Sequence, residues 1–268
     1  AEMKKDEYDN YLKVYKEFGR ILKEGIHFDF TRRETIADLM LFPSTKSEDG
    51  KLRTFQDYID GMKEGQNEIY YATGATLEEV LKSPYLEAFK DKDIEVLVFL
   101  DEIDDFVFTG FEFKGKRLKS VSKGDINLDK AEEDEKKDTQ KKYKKLLDLV
   151  KDILKDDVKD VRFSGRLTDS VCCLVAEEGD MDPQMEKLLK AMGQDVPQRK
   201  RVLEINPSHP LFAAMNTIFE NDKNSPHLED YTRLLYDQAL LLEGSKPKDP
   251  AAFAKVLARL MVENAEKY

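Results

Sequence analysis

The chain has 268 residues, of which 40% are hydrophobic and 37% are charged, so it can bury sizeable cores beneath a strongly hydrated surface. Its formal net charge of −11 argues against general phosphate binding, and we therefore expect no nucleic-acid partner. No apolar run reaches membrane-spanning length and the N-terminus lacks the apolar core of a signal peptide, so we expect no membrane partner.

The first 65 residues have the pattern of a helical module. Apolar side chains at spacings of three and four predict one amphipathic helix over residues 4–25. Thr31 followed by Glu34 matches a capping box and predicts the start of a second helix, and Thr54 predicts the start of a third. We therefore predict a helical coil over residues 1–65.

The next stretch changes to alternating strand and helix patterns. Residues 68–73 are rich in Ile and Tyr and predict a short strand, and Thr76 predicts a helix start. Residues 95–100 are almost continuously apolar, as in a strand covered on both faces, and residues 117–121 predict a third strand. Strand, helix and strand at this spacing favour a parallel crossover, which predicts a small αβα subdomain over residues 66–126.

A second domain is predicted over residues 127–268. Residues 127–142 are almost all charged and allow two interpretations, a solvated linker or the polar first turns of a helix. A helix is clear by Tyr143, and a strand pair is predicted over residues 158–167 and 171–177. Further along, the patterns predict a helix over 181–192, a strand over 201–205 and a helix over 210–220. This domain is of the α+β class, so the fold of the whole chain is mixed α+β and α/β.

The two cysteines, Cys172 and Cys173, are adjacent in the second predicted strand of this pair. Vicinal cysteines in a strand point to opposite faces, and a bridge between them would be strained. Two reduced thiols in a cytosolic protein are the interpretation we favour.

The chain ends with the pattern of a helix hairpin. Ser225 and Pro226 predict one helix start, Gly244 predicts its end, and Asp249 with Pro250 predicts the start of a second helix. Both helices carry apolar stripes, which either pack on their own domain or form a four-helix bundle with a second copy. The residues predicted for dimerisation are Leu228, Tyr231, Leu235, Leu242, Phe253, Val256, Leu257, Leu260 and Met261.

The linear sequence offers little catalytic chemistry. It has no glycine-rich phosphate loop of either standard form, and its three histidines are too scattered for a metal site. An acidic cluster lies at a predicted helix start, at Asp101, Glu102, Asp104 and Asp105. Carboxylates are favoured there by the helix dipole, so a structural role is the simpler interpretation. We expect no metal ion and no catalytic residue.

Apolar side chains on predicted helix surfaces are the more informative feature. The predicted helix 181–192 carries a stripe of Met and Leu, and Met is flexible enough to suit surfaces that fit many partners. The alternative is that the stripe covers the core of its own domain. The same two interpretations apply to Phe106, Phe108, Phe111 and Phe113.

Several sequence motifs resemble a known family. Lys13-Val-Tyr-Lys-Glu-Phe-Gly, Met62-Lys-Glu-Gly-Gln and Ser120-Val-Ser-Lys resemble the middle domain of the heat-shock protein 90 chaperones. Val161-Arg-Phe-Ser-Gly-Arg-Leu-Thr-Asp-Ser and Glu204-Ile-Asn-Pro-Ser-His-Pro-Leu resemble the C-terminal domain of that family. No acidic Met-Glu-Glu-Val-Asp tail follows the last residue, so the chain is more similar to the bacterial, HtpG-type branch.

The resemblance implies a fragment of an ATP-driven cytoplasmic chaperone. It would cover the end of the middle domain, residues 1–126, and the C-terminal dimerisation domain, residues 127–268. The family's nucleotide-binding domain has no counterpart here, so ATP and Mg would be cofactors of the full-length protein only. We expect this chain to hold no cofactor and to have no enzymatic activity of its own.

The resemblance also implies partners, namely a second copy of the chain and unfolded client proteins. In the family an aromatic position that aligns with Phe106 and the segment 181–192 contribute to client binding. The predicted client-binding residues are Phe106, Phe108, Phe111, Met181, Met185, Leu188, Leu189 and Met192. A non-catalytic dimeric scaffold and an enzyme that uses the acidic cluster are the alternative hypotheses.

Overall fold

The structure of the protein is a computed structural model that describes residues 2–47, 50–128, 133–181, 186, 189, 193–194 and 199–266. The first of its two compact units comprises Ala1–Gly124 and Glu178–Val196, and the second comprises Asp125–Glu177 and Pro197–Tyr268. The sequence analysis placed the boundary after residue 126 and assigned residues 178–196 to the second domain, whereas that segment groups with the first unit. The mixed α and β class is confirmed.

The helices that open the first unit are α1 (Glu2–Asp6), α2 (Tyr8–Phe28), α3 (Arg33–Ala37) and α4 (Phe55–Asp60). The predicted first helix is therefore divided at Glu7. The predicted start at Thr54 is confirmed, because Thr54 Oγ1 accepts the N–H of Asp57 and the Asp57 carboxylate accepts the N–H of Thr54.

The capping box predicted at Thr31 is wrong. Helix α3 begins at Arg33, and Arg32 precedes it without a side-chain cap. The Glu34 carboxylate instead accepts the backbone N–H of Lys114, which lies 80 residues further along the chain. A long-range contact has therefore replaced the local one.

The elements that follow are β1 (Glu68–Thr73), α5 (Leu77–Leu81), α6 (Glu87–Asp91), β2 (Leu97–Phe99), α7 (Asp104–Phe108), β3 (Glu112–Phe113) and β4 (Lys116–Ser120). The four strands form one sheet in the order β2-β1-β4-β3. Strand β1 runs parallel to both β2 and β4, and Tyr71 is in register with Leu97 on one side and Ser120 on the other. The parallel crossover is confirmed. The sequence analysis missed the β3–β4 hairpin, whose Lys114–Gly115 turn has positive φ at both residues, as a tight two-residue hairpin requires.

The core of the first unit is a cluster of aromatic rings. Phe42 lies 4.6 Å from Phe99, 4.9 Å from Phe55 and 5.6 Å from Phe108, measured between ring centroids. These rings come from the helical coil, strand β2 and helix α7, so the coil and the sheet share one core. The position of α7 is fixed by this packing.

The second unit contains α8 (Glu133–Ile153) and a three-stranded sheet of β5 (Asp160–Phe163), β6 (Cys172–Val175) and β7 (Val202–Ile205). The start of α8 shows that the charged stretch includes the polar first turns of a helix. The strand order is β5-β7-β6, with β7 parallel to β5 and antiparallel to β6. The predicted direct pairing of the first two strands is therefore wrong, because β7 inserts between them.

The physical reason for this order is an ion-pair network on β7. The fully buried carboxylate of Glu204 accepts hydrogen bonds from Arg162 and Arg166, at 2.8 Å each, and from the Ser164 hydroxyl, also at 2.8 Å. Arg166 is itself fully buried. These three partners follow one another along β5 and the turn after it, so they hold β7 beside β5.

Both cysteines of β6 are buried and unbridged. The Cys172 thiol donates a hydrogen bond to the carbonyl of Leu235 at 3.1 Å. Burial raises the pKa of Cys172 to about 12, so this thiol stays protonated and unreactive at neutral pH.

The chain ends with α9 (Pro210–Asn221), α10 (Pro226–Leu242) and α11 (Pro250–Ala265). The predicted cap at Asp249 is confirmed, because its carboxylate accepts the N–H groups of Ala251 and Ala252 at 3.0 Å. Ser225 precedes α10 without a side-chain cap. Helices α10 and α11 form the predicted hairpin, and the inner face of α10 packs on β6.

Candidate functional site

Phe106 lies on helix α7 and is 60% exposed. Its neighbours Val107 and Phe108 face the core of the first unit, whereas Phe106 lies on the side of α7 that is exposed to solvent. The Phe106 ring centroid lies 4.6 Å from that of His27 on α2. The structure thus has one exposed aromatic ring, that of Phe106, on a helix whose other side packs in the core.

Phe108 and Phe111 require a correction. Both are fully buried, and the Phe108 ring packs against Phe99 at 5.0 Å and against Phe111 at 5.7 Å. Phe113 is also fully buried. These rings form the core of the unit, so they are not available to a partner in this fold.

The predicted Met and Leu stripe can be placed only in part. Met181 is exposed and Leu189 is partly buried, while Glu186 between them is buried. The predicted residues Met185, Leu188 and Met192 lie outside the described residues. Their role in binding clients stays a prediction.

The acidic cluster at the start of α7 is paired with two buried lysines. Lys23 of α2 forms ion pairs with Asp101 and with Asp104, the latter at 2.7 Å. Lys123, which follows β4, donates to both carboxylate oxygens of Asp105 at 2.7 Å. The cluster therefore anchors α7 to its neighbours, and this pairing gives no support to the hypothesis of an enzyme.

Asp104 is fully buried, and this burial raises its pKa from 3.8 to about 6, although the Lys23 ammonium acts in the opposite direction. The carboxylate oxygen nearest Lys23 makes no well-aligned hydrogen bond, so the contact is ionic only. The Asp101 N–H donates to the other oxygen at 3.1 Å. Desolvation of the charged form is the larger effect here.

The raised pKa predicts a pH dependence of stability. Between about pH 4 and pH 6 the folded chain holds more of this proton than the unfolded chain, so this group's contribution to the free energy of unfolding falls as the pH rises. The slope for one proton is at most about 1.4 kcal/mol per pH unit. Urea unfolding of the wild type and of Asp104→Asn should be measured from pH 4 to pH 7. The free energy of unfolding of the wild type minus that of the variant should decline across this window. A difference that grows with pH would show that Lys23 lowers the pKa instead.

The outer surface of the C-terminal hairpin is apolar. Helix α11 has no buried residue among those described, and Leu257 and Met261, four positions apart, are 42% and 63% exposed. The other exposed large hydrophobic residues of the hairpin are Leu241, Leu242 and Val262. Helix α11 therefore presents several of its apolar side chains to solvent in the single chain.

Leu228 and Leu235 also require a correction, because both are buried in the core of the second unit. They lie on the side of α10 that packs against β6, and Tyr231 packs partly on the same core. Burial against their own sheet leaves these side chains unavailable to a second copy. Residue spacing alone did not distinguish the two sides of the helix.

Phe253 and Val256 lie on the inner side of the hairpin. They line a cavity of 280 Å³ together with Leu154 and Leu234. Leu260 is likewise partly buried. Of the residues predicted for dimerisation, Leu242, Leu257 and Met261 are those that the fold leaves exposed.

Neither membrane-spanning helices nor metal sites are found among the described residues. No helix in the described ranges is long and apolar enough to cross a bilayer. Within the same residues, no group of three or more His, Cys, Asp or Glu side chains is arranged to hold a metal ion.

Comparison with known proteins identifies the family. The family model described as Hsp90 protein matches residues 1–267. Chaperone protein HtpG of Geobacter metallireducens is 48% identical over 274 residues, which covers 99% of this chain and 42% of that protein. The proteins of the same name from Geobacter sulfurreducens and Nitrosospira multiformis are 46% and 40% identical, cover 99% and 100% of this chain, and are each matched over 42% of their length. The chain thus spans about 42% of the length of these relatives. Because the family model matches nearly every residue, the chain belongs to the Hsp90 family.

Proposed function

We propose that this chain is the client-holding and dimerising part of a cytoplasmic molecular chaperone of the HtpG type. Membership of the Hsp90 family supports the chaperone role, and the observation that carries client binding is the exposed Phe106 on an anchored helix. In this proposal the chain binds no nucleotide itself and has no catalytic residue. ATP and Mg act elsewhere in the longer protein.

The geometry around Phe106 suits a surface that binds many sequences weakly. Ion pairs to Lys23 and Lys123 hold α7 in place, so the exposed ring loses little conformational freedom when a client covers it. A large apolar side chain contributes roughly 1.5–3 kcal/mol when it is fully buried, and Phe106 is already 40% covered, so one such contact is weak. Several contacts on two copies would act together, because the second contact becomes intramolecular.

The exposed side of α11 supports homodimerisation. Leu257 and Met261 lie on one stripe of a helix whose other residues are also accessible, and a second copy would cover that stripe. An exposed apolar patch of this kind is typical of an interaction site. The same surface would serve the alternative function, a dimeric scaffold that holds no clients.

Aggregation of a chemically denatured protein separates these two functions. The wild-type chain should reduce the light scattering of the diluted client, whereas Phe106→Ser should need a several-fold higher concentration for the same effect. Phe18→Ser is the matched control, because Phe18 is similarly exposed on α2. A wild-type chain that leaves the aggregation unchanged would contradict client binding and favour the scaffold.

A further inference from the structure

The end of helix α2 exposes two further aromatic side chains. Phe28 is 78% exposed and Phe30 is 72% exposed, more than any other large hydrophobic residue of the described chain. The His27 ring lies 5.0 Å from Phe28, edge to face, and 4.6 Å from Phe106. His27 therefore links the exposed Phe28 ring at the end of α2 with the exposed Phe106 ring on α7.

Arg33 extends this surface with a positive charge. Its guanidinium carbon lies 5.7 Å from the ring centroid of Phe30 and 4.7 Å from that of the buried Phe111. Its Nε is buried and makes no hydrogen bond within the described residues. The neighbouring Arg32, in contrast, pairs with Asp29 at 2.7 Å.

The pairing pattern across the chain makes Arg33 unusual. Arg53, Arg166 and Arg233 each bind a carboxylate, at 3.0, 2.8 and 2.9 Å. For Arg33 no carboxylate partner is found among the described residues, and its contacts are with aromatic faces. A guanidinium that packs over an aromatic ring still has N–H donors that can bind a carboxylate.

We infer that His27, Phe28, Phe30, Arg33 and Phe106 form one docking strip for an extended, non-native polypeptide segment with a carboxylate beside aromatic or aliphatic side chains. The inference rests on the proposed function and names the class of client segment that this surface selects. The exposed rings would cover the apolar side chains, and Arg33 would bind the carboxylate. The chain has a net charge of −11, which repels acidic segments in general, so a local unpaired arginine is what permits an acidic one to dock.

Fluorescence anisotropy with three labelled peptides tests this selectivity on the whole chain. The peptides are Gly-Ser-Phe-Glu-Phe-Ser-Gly and its two counterparts with Gln or Lys in place of Glu. The Glu peptide should bind several-fold more tightly than the Gln peptide, and the Lys peptide should bind most weakly. Equal affinities of the wild type for the Glu and Gln peptides would overturn the inference.

Variants of the chain assign the effect to the strip. Phe28→Ser combined with Phe30→Ser should weaken binding of the Glu and Gln peptides at least fivefold, whereas the control Phe18→Ser should leave it unchanged. Arg33→Gln should abolish the preference for Glu over Gln, and Arg33→Lys should retain part of it because the charge remains. Near-ultraviolet circular dichroism checks that the aromatic packing of the chain is unchanged in both Arg33 variants. An unchanged preference in a folded Arg33→Gln variant would overturn the assignment.

Three further outcomes separate this inference from the proposed function. If the wild type suppresses client aggregation and the strip variants bind peptides and suppress aggregation equally well, the inferred docking strip is contradicted while the proposed client binding is supported. If the wild type neither suppresses aggregation nor binds any peptide, both fail. If the Phe28→Ser and Phe30→Ser variant has a lower mass than the wild type by light scattering, the strip is a contact between copies and the inference is overturned.

Discussion

Replacing Leu257 and Met261 together with glutamate should convert the proposed dimer of this chain into monomers that stay folded. Both side chains are exposed in the single chain, so glutamate costs little there, but it would be buried without a partner between two copies. Light scattering on a size-exclusion column at tens of micromolar should show the mass falling from twice 31.0 kDa to 31.0 kDa. This change from dimer to monomer is the largest effect that we expect from any pair of substitutions.

The energetic balance explains why two substitutions suffice. Each exposed large side chain of the hairpin contributes roughly 1.5–3 kcal/mol if fully buried, and each is already about half covered. Association costs an estimated 4–15 kcal/mol, so the surplus for a dimer is small. Four glutamates at a two-fold interface would remove it.

The matched control uses a different side of the same helix. Ala251 and Lys255 are also exposed and four positions apart, but each lies at least about 80° around α11 from both Leu257 and Met261. Ala251→Glu combined with Lys255→Glu should leave the dimer intact. A wild-type chain that elutes as a monomer at tens of micromolar would contradict the proposed dimer itself.

Replacing Glu204 with alanine should lower the free energy of unfolding of the second unit by roughly 3–5 kcal/mol, because it leaves Arg166 buried without a counter-charge. Arg162 and Ser164 would lose the same acceptor. Urea unfolding followed by far-ultraviolet circular dichroism measures the loss, and hydrogen exchange of the β5 and β7 amides assigns it to this sheet.

An exposed ion pair of the same unit provides the control for Glu204. Glu229 and Arg233 pair at 2.9 Å on the surface of α10, four residues apart. Glu229→Ala should change the free energy of unfolding by about 0.5 kcal/mol or less, as is typical of exposed helix pairs. Equal losses in the two variants would show that the buried Glu204 network stabilises the second unit no more than an exposed ion pair does.

The sequence predicted those features that depend on neighbouring residues. The caps at Thr54 and Asp249 are confirmed because each side chain reaches N–H groups two or three residues away. The apolar run that contains β2 (Leu97–Phe99) predicted a strand covered on both faces, and its three residues are buried. The capping box at Thr31 failed for the opposite reason, because the side chain of Glu34 binds Lys114, a residue that is remote in sequence.

The candidate surface could be predicted only in part. Phe106, Val107 and Phe108 are three consecutive apolar residues, so their spacing does not tell which ring faces solvent. The tertiary structure decides this, because Phe108 packs in the aromatic core and Phe106 remains exposed. Phe28 and Phe30 lie at and beyond the end of α2, where a helical pattern gives no information about exposure.

By itself, the sequence determined most of the helices and strands that the structure describes, the parallel crossover and the family, because these follow from local periodicity and from motifs; it did not reveal β3. Only the tertiary structure decided the position of β7 between β5 and β6, since this depends on the buried charge of Glu204 meeting Arg162 and Arg166. The tertiary structure also decided which apolar residues remain exposed. A helix can carry apolar side chains on more than one side, and the sheet on which it packs determines which side is buried.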